Sequence, residues 1–160
     1  MSRPFVGIGV ICLSKMFPTS ILVSKRLTNH GQGCYQLPGG HLEFGESFEQ
    51  CAQRELKEET NLDSSQFELV YITNSLFSNE NQLSKHYVTL FLRTNIEEPS
   101  TLQCVEPEKN TPWIWMKWKD LIECNDLFTP LKQICSDRSF SPFHQSNQSF
   151  YSSNLFFNHQ

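Results

Sequence analysis

The sequence has no apolar run long enough to span a membrane and no CxxC pair. A membrane-crossing helix needs about 20 mostly apolar residues, so we expect no membrane partner. The six cysteines show no spacing typical of a zinc knuckle or a redox motif. The N-terminus also lacks a signal-peptide pattern, and we therefore expect a cytoplasmic protein with reduced thiols.

An excess of positive charge is also lacking. Lysine and arginine together number 13 against 17 aspartates and glutamates, which gives a formal net charge of −4. A protein that binds polymeric nucleic acid usually presents a basic face, so that class of partner is disfavoured. A nucleotide substrate remains compatible with this charge, because a bound metal ion can neutralise its phosphates locally.

The length and the local composition predict one folded domain and a tail. A chain of 160 residues is typical of a single domain, which we assign to residues 1–143. Residues 144–160 are rich in Ser, Asn and Gln, and we expect a mostly disordered tail there. The aromatic residues within this tail leave a docking role open.

Apolar patterns predict the secondary structure. We expect strands at 5–13, 20–25, 67–74, 87–93 and 113–118, with the first two forming a hairpin, and a polar loop between 74 and 87. A C-terminal helix is predicted to start at Pro130, with Thr129 as its cap, and to end near Cys135. Residues 97–110 indicate a long polar connection. Two helices on the faces of a mixed β-sheet would bury these elements, so the expected fold class is α/β.

The stretch 40–62 contains the strongest helix signals in the chain. Ser47 is a suitable N-cap, and Gln50 three residues later completes a capping box. From there to Thr60 there is no Gly or Pro, and Asn61 can adopt the left-handed conformation that ends a helix.

Three glutamates on this predicted helix form one acidic patch. Glu55, Glu58 and Glu59 are spaced i, i+3, i+4, so their carboxylates lie on the same side. One interpretation is a solvated acidic surface with ordinary pairs to Arg54 and Lys57. The other is a site for a hard divalent cation, because Mg²⁺ prefers oxygen ligands and phosphate oxygens beside them.

The full spacing resembles the Nudix box, whose signature is G-x5-E-x7-R-E-U-x-E-E-x-G-U with U a bulky aliphatic residue. The matching positions are Gly40, Glu46, Arg54, Glu55, Leu56, Glu58, Glu59 and Leu62. The one departure is Asn61 in place of the last glycine, and asparagine also tolerates a positive φ. The number of fixed positions favours the metal interpretation over the solvated surface.

Other segments are similar to the small cytosolic nucleotide triphosphate diphosphatases of the MutT-homologue type, which act on guanine-type nucleotides including oxidised and thiolated forms. These segments are QLPGGHLEFGES at 36–47, HYVT at 86–89, VEPEKN at 105–110, the Trp113-x-Trp115 strand and Leu127-Phe128. The resemblance implies a Nudix α/β/α sandwich, dependence on Mg²⁺ with Mn²⁺ as an alternative, a nucleoside triphosphate substrate and a homodimer.

The resemblance also implies roles for individual residues. Glu55, Glu59 and the backbone carbonyl of Gly40 would hold the metal, with Glu58 as a further ligand or the base that activates water. Arg54 would orient a glutamate, with Glu46 as its partner, and Glu106 would approach the metals from across the cleft. The expected substrate-binding residues are Arg26 on phosphate, together with Leu37, Gly39, Phe128 and Leu131.

The stretch that forms the base pocket in these relatives differs here, since Thr129 and Pro130 follow Phe128. The preferred base is therefore open. Two alternatives to a nucleoside triphosphate diphosphatase also remain. One is a pyrophosphatase acting on pterin triphosphate or ADP-ribose, and the other is a non-catalytic nucleotide-binding Nudix scaffold.

Overall fold

The computed structural model describes residues 3–79 and 82–144. In chain order the elements are β1 Phe5–Leu13, β2 Ser20–Lys25, β3 Tyr35–Gln36, β4 Gly39–His41, α1 Phe48–Thr60, β5 Glu68–Asn79, β6 Gln82–Asn95, a 3₁₀ turn Pro99–Thr101, β7 Ile114–Lys117, α2 Trp118–Leu121 and α3 Thr129–Ser136. Residues 145–160, where most of the predicted tail falls, lie outside the described residues.

The strands form two sheets. The larger is a mixed sheet with the order β4-β1-β6-β5, in which β1 runs parallel to β6 and antiparallel to β4. The smaller is an antiparallel sheet with the order β3-β2-β7. The α/β class with a mixed sheet between helices is thus confirmed, since α1 packs on β1 and β4 while α3 packs on β5.

Strand β1 separates two hydrophobic cores because its successive side chains point to opposite faces. Ile8, Val10 and Cys12 belong to the core beneath α1, whereas Ile11 belongs to the core beneath α3. Burial on both faces explains why β1 is a continuous apolar run rather than an alternating one.

Helix α1 confirms the local sequence signals. The side chain of Ser47 accepts a hydrogen bond from the backbone N–H of Gln50, and the backbone N–H of Ser47 donates to the Gln50 side chain. Asn61 ends the helix with φ = 58°. Cys51, Ala52 and Leu56 form its buried face, so the opposite faces remain for charged side chains.

Three predictions about the elements are wrong. The strands β1 and β2 do not form a hairpin, because each pairs with strands that come later in the chain. The predicted polar loop between β5 and β6 is largely strand, and the two pair from Glu68–Arg93 to Asn79–Gln82. Thr129 is the first residue of α3 rather than its cap, which is Phe128 without any side-chain capping bond.

The extension of β5 was hidden by its pattern of polar residues. Thr73 and Ser75 are buried, whereas Ile72 and Leu76 are exposed. Ser75 is satisfied by donating to the side chain of Gln133 on α3 at 2.7 Å. Hydrophobic periodicity therefore gives the wrong orientation for this strand.

Candidate active site

Two glycines of β4 lie in close contact with the neighbouring elements, Gly40 with the Glu55 side chain of α1 and Gly39 with the backbone of β1. A Cβ added to Gly40 would overlap the carboxylate of Glu55, and one added to Gly39 would overlap the backbone carbonyl of Ile8. The N–H of Gly39 donates a hydrogen bond to Glu59 Oε2 at 3.0 Å. The Gly39-Gly40 backbone thus lies directly against two of the three predicted metal-binding glutamates.

Arg54 organises the other carboxylates of the box. Its Nε donates to Glu46 Oε1 at 2.6 Å and its Nη2 to Glu46 Oε2 at 3.0 Å, a two-pronged contact. Its Nη1 donates to Glu55 Oε1 at 2.8 Å, with Glu58 Oε2 further away at 3.4 Å. Nη2 also donates to the carbonyl of His41 at 3.1 Å, which connects α1 to the end of β4.

The surroundings shift the pKa values of these carboxyl groups in opposite directions. The hydrogen bonds from Arg54 hold the pKa of Glu46 at about 2. Burial raises the pKa of Glu55, and it raises that of Glu59 to about 8, with the nearby charges of Glu55 and Glu106 adding to the effect. A buried carboxylate that costs free energy when ionised is stabilised by a bound cation.

The donor set fits a hard cation, although the side chains do not form a ready-made cage. Within residues 3–79 and 82–144, no group of three His, Cys, Asp or Glu side chains is arranged to hold a metal. The reason is visible in the contacts, since Glu55 is turned toward Arg54 and Glu59 toward the N–H of Gly39. The Glu58 side chain is 55% exposed. The ligand set of Gly40, Glu55, Glu58 and Glu59 therefore remains a prediction.

The segment 105–110 closes the far side of the acidic site. The N–H of Val105 donates to the carbonyl of Glu59 at 3.2 Å, and so does Nε1 of Trp113 at 3.1 Å. Glu106 contributes negative charge near Glu55 and Glu59, and it pairs with Lys109 at 2.7 Å. The approach of Glu106 to a bound metal stays a prediction.

A cleft of about 230 Å³ opens on the other side of Gly39 and Gly40. All five predicted substrate-binding residues line it: Arg26, Leu37, Gly39, Phe128 and Leu131. Pro130 also lines the cleft, as its departure from the relatives' pattern predicts, whereas Thr129 does not contribute to the lining. The cleft thus joins an aromatic end to the acidic site through the two glycines.

Arg26 lies at the aromatic end of the cleft, where its guanidinium stacks 4.3 Å above the ring of Phe128. Its Nε donates to the carbonyl of His30 at 2.7 Å, and its Nη1 donates to Gln36 Oε1 at 2.5 Å. The sequence predicts a phosphate contact for Arg26, and the observed position is beside the ring predicted to stack on the base.

Several residues of the cleft were missed by sequence reasoning. Phe77 and Lys85 come from the extended parts of β5 and β6, and His30 comes from the loop after Arg26. Phe77 stacks on Phe128 with ring centroids 5.9 Å apart, and His30 contacts both rings edge-on. Continuing the alternation of Thr73 and Ser75 along β5 would have placed Phe77 on the inner face.

The fold and the glycine-glutamate contact define a NUDIX domain, and comparison with known proteins agrees. The NUDIX domain family matches residues 3–136. The chain therefore belongs to the NUDIX family. No helix in the described part of the chain is both long and apolar enough to cross a membrane.

Similar proteins come from several branches of this family. The chain is 52% identical over 42 residues to an ADP-ribose pyrophosphatase of Methanocaldococcus jannaschii, a match that spans 26% of this chain and 25% of that protein. A crystal structure of a MutT NUDIX hydrolase from Burkholderia pseudomallei is 23% identical with a TM-score of 0.68, covering 83% of this chain and 99% of its own.

The NUDIX domain of Shewanella oneidensis NrtR, solved in complex with ADP ribose, is 18% identical with a TM-score of 0.66. The match covers 84% of this chain and 86% of that one. At these identities the structural matches show the fold. The matched segment spans a quarter of the length of the M. jannaschii ADP-ribose pyrophosphatase, so an activity shared with it is a matter for proposal.

Proposed function

We propose that this chain hydrolyses a phosphoanhydride bond of a nucleoside triphosphate to give a monophosphate and pyrophosphate. Guanine-type nucleotides, including oxidised forms, are the first substrates to test. The observation that carries the proposal is the position of Gly39 and Gly40, which form one wall of the aromatic cleft and also touch Glu55 and Glu59. A base held against Phe128 would direct its phosphates toward the carboxylates.

The residues present would divide the work between binding and water activation. Glu55, Glu59 and the carbonyl of Gly40 would hold Mg²⁺, or Mn²⁺ in its place, and Glu58 would be a further ligand or a base. When bound, the metal would neutralise phosphate charge and lower the pKa of a bound water. The N–H of Gly39 fixes the Glu59 carboxylate, and Arg54 fixes that of Glu55.

ADP-ribose is a second candidate substrate, and a specific observation favours it. The ADP-ribose pyrophosphatase of M. jannaschii shares 52% identity over the matched 42 residues, and the NrtR domain was solved with ADP ribose. Both candidate reactions break a bond between two phosphoryl groups, so the same acidic site would serve either. They differ in the group that the aromatic end of the cleft must hold.

The test measures pyrophosphate release from dGTP, 8-oxo-dGTP, dCTP and dATP, and AMP release from ADP-ribose, with and without Mg²⁺. Glu59→Gln is the inactive reference, and Glu123→Gln is the matched control because Glu123 is 70% exposed and lies outside the cleft. Mg²⁺-dependent pyrophosphate release that only Glu59→Gln abolishes supports the proposal.

Other outcomes select the alternatives. Turnover of ADP-ribose alone moves the assignment to an ADP-ribose pyrophosphatase. No turnover of these substrates calls for pterin triphosphate as the next one. A chain that binds nucleotides and turns over none of them would be a non-catalytic scaffold.

The resemblance also supports three proposals about the setting: a homodimer, a cytoplasmic location and a folded unit that ends near residue 143. Analytical ultracentrifugation of the full chain beside a version ending at residue 144 tests the first and the third. A monomer at micromolar concentration would reject the homodimer.

A further inference from the structure

The aromatic end of the cleft carries fixed positive charge. Arg26 is held by the carbonyl of His30 and by the side chains of Gln36 and Thr28, and it stacks on Phe128. Five N–H groups belong to each guanidinium, so three hydrogen bonds leave donors for a ligand.

A buried relay keeps this arginine in place. Gln36 accepts from Arg26 through Oε1 and donates through Nε2 to Asn110 Oδ1. Both residues are buried, with Gln36 8% and Asn110 2% exposed. The backbone adds an antiparallel bridge between Arg26 and Asn110. Gln36 Oε1 therefore already accepts a hydrogen bond from Arg26 before a ligand enters the cleft.

Lys85 adds a second cation to the same end of the cleft. It lies on β6 opposite Phe77, and its side chain lines the cleft. Within the described residues no carboxylate pairs with its ammonium. Burial, followed by the charges of Lys85 and Arg26, lowers the pKa of the His30 imidazole. Its Nε2 is buried without a hydrogen-bond partner in this part of the chain.

Carboxylates are missing where the base would lie. Among the described residues that line the cleft, none is an aspartate or glutamate. Glu55 and Glu59 lie against Gly40 and Gly39 outside the lining of the cleft, although the charge of Glu59 acts on Arg26. Guanine presents N–H donors on its Watson–Crick edge, and a carboxylate is the side chain best suited to accept from them. Donors and cations instead favour a base edge made of acceptors.

We propose that the aromatic end of the cleft selects an acceptor-rich purine that ionises near neutral pH, of which xanthine is the model, over guanine and over positively charged purines. Arg26 then acts on the base and is a specificity-determining residue, together with Lys85. The proposal rests on the proposed function in taking this cleft as the nucleotide site, and it replaces guanine with xanthine as the preferred base there.

Binding of nucleoside monophosphates to the full chain tests the proposal without requiring hydrolysis. Isothermal titration calorimetry in the absence of metal compares XMP, GMP, AMP and 7-methyl-GMP at neutral pH. We expect XMP to bind about fivefold or more tightly than GMP, because a charge-assisted hydrogen bond contributes roughly twice as much as a neutral one. The cationic 7-methyl-GMP should bind most weakly.

Two variants and a control test whether Lys85 and Arg26 cause the preference for XMP over GMP. Lys85→Gln and Arg26→Gln should each reduce the ratio of XMP to GMP affinity, whereas Lys119→Gln should leave it unchanged, because Lys119 is exposed on α2 outside the cleft. Lys85 is exposed on its strand, so its variant should fold even if Arg26→Gln does not. Circular dichroism checks both.

The binding results either support the proposal or overturn it. A reduced XMP preference in either folded variant supports the proposal. It is overturned if wild type binds GMP as tightly as XMP, if XMP does not bind measurably, or if the preference survives in every folded cleft variant. Failure of the proposed hydrolysis would appear in the pyrophosphate assay instead, and it would leave these affinities unaffected.

Discussion

Replacement of Arg54 by glutamine tests how much one guanidinium group stabilises the folded acidic site. Arg54 bridges Glu46 at 2.6 and 3.0 Å and Glu55 at 2.8 Å. Glutamine has a shorter side chain without charge, so both carboxylates lose their cation. We expect the metal-free protein to unfold more easily and Mg²⁺ to recover part of the loss, because the ion would neutralise Glu55.

The size of the effect follows from the exposure of the pair. The side chains of Arg54 and Glu46 are 25% and 18% exposed, which lies between a surface pair and a buried one. Surface pairs contribute about 0.2–1 kcal/mol, whereas breaking a buried pair costs about 3–5 kcal/mol. An intermediate loss of about 2 kcal/mol corresponds to a decrease of roughly 4–8 °C in Tm for a chain of this size.

The assay is thermal and urea unfolding of wild type, Arg54→Gln, Glu46→Gln and the double variant, each with and without Mg²⁺. The matched control is Arg138→Gln, because the Arg138–Glu123 pair spans 3.3 Å with side chains 66% and 70% exposed. We expect the control to change stability by less than about 0.5 kcal/mol. The reasoning would be refuted if Arg138→Gln lost as much stability as Arg54→Gln. It would also be refuted if the double variant showed no coupling energy between Arg54 and Glu46.

The same site gives three further predictions. Because Arg54 holds the pKa of Glu46 near 2, the stabilisation that ionised Glu46 gives the fold is fully present above the ordinary carboxyl pKa and is lost as the pH falls toward about 2. The free energies of unfolding of wild type and Arg54→Gln, measured in urea across this range, should therefore converge at acidic pH. Gly40→Ala should lower kcat/KM by about a hundredfold with unchanged helix content, since its Cβ would displace the Glu55 carboxylate; near-normal turnover would contradict this. Glu59→Gln should abolish turnover and leave the metal-free Tm unchanged or higher, because an amide avoids the burial cost that raises the pKa of this carboxyl to about 8; a large decrease in Tm would instead assign Glu59 a structural role.

The helix at the centre of the site was predictable from the sequence because its determinants are local. The capping box of Ser47 and Gln50, the apolar stripe and the left-handed Asn61 act within a few residues of one another. The same holds for the acidic patch, whose members are separated by one turn of α1. Such contacts form wherever the helix forms, and the rest of the chain does not change them.

Strand pairing was not predictable in this way. A hairpin between β1 and β2 satisfies every local rule, yet β1 pairs in parallel with β6 some 80 residues later, from Phe5–Tyr87 onward. Because β1 is apolar on both faces, its sequence does not identify a neighbour. The choice depends on which arrangement buries both of its faces, and that is a property of the whole chain.

The sequence by itself determined the helix, its caps and the spacing of Glu55, Glu58 and Glu59, and its resemblance to a family pointed to Phe128 and Leu131, which line the cleft. Tertiary structure decided that Arg26 stacks on Phe128, that Phe77 and Lys85 complete the cleft, and that no described lining residue is a carboxylate. The physical reason is distance along the chain. Contacts within one helix follow from its period, whereas the cleft joins segments that meet only after the sheet has formed.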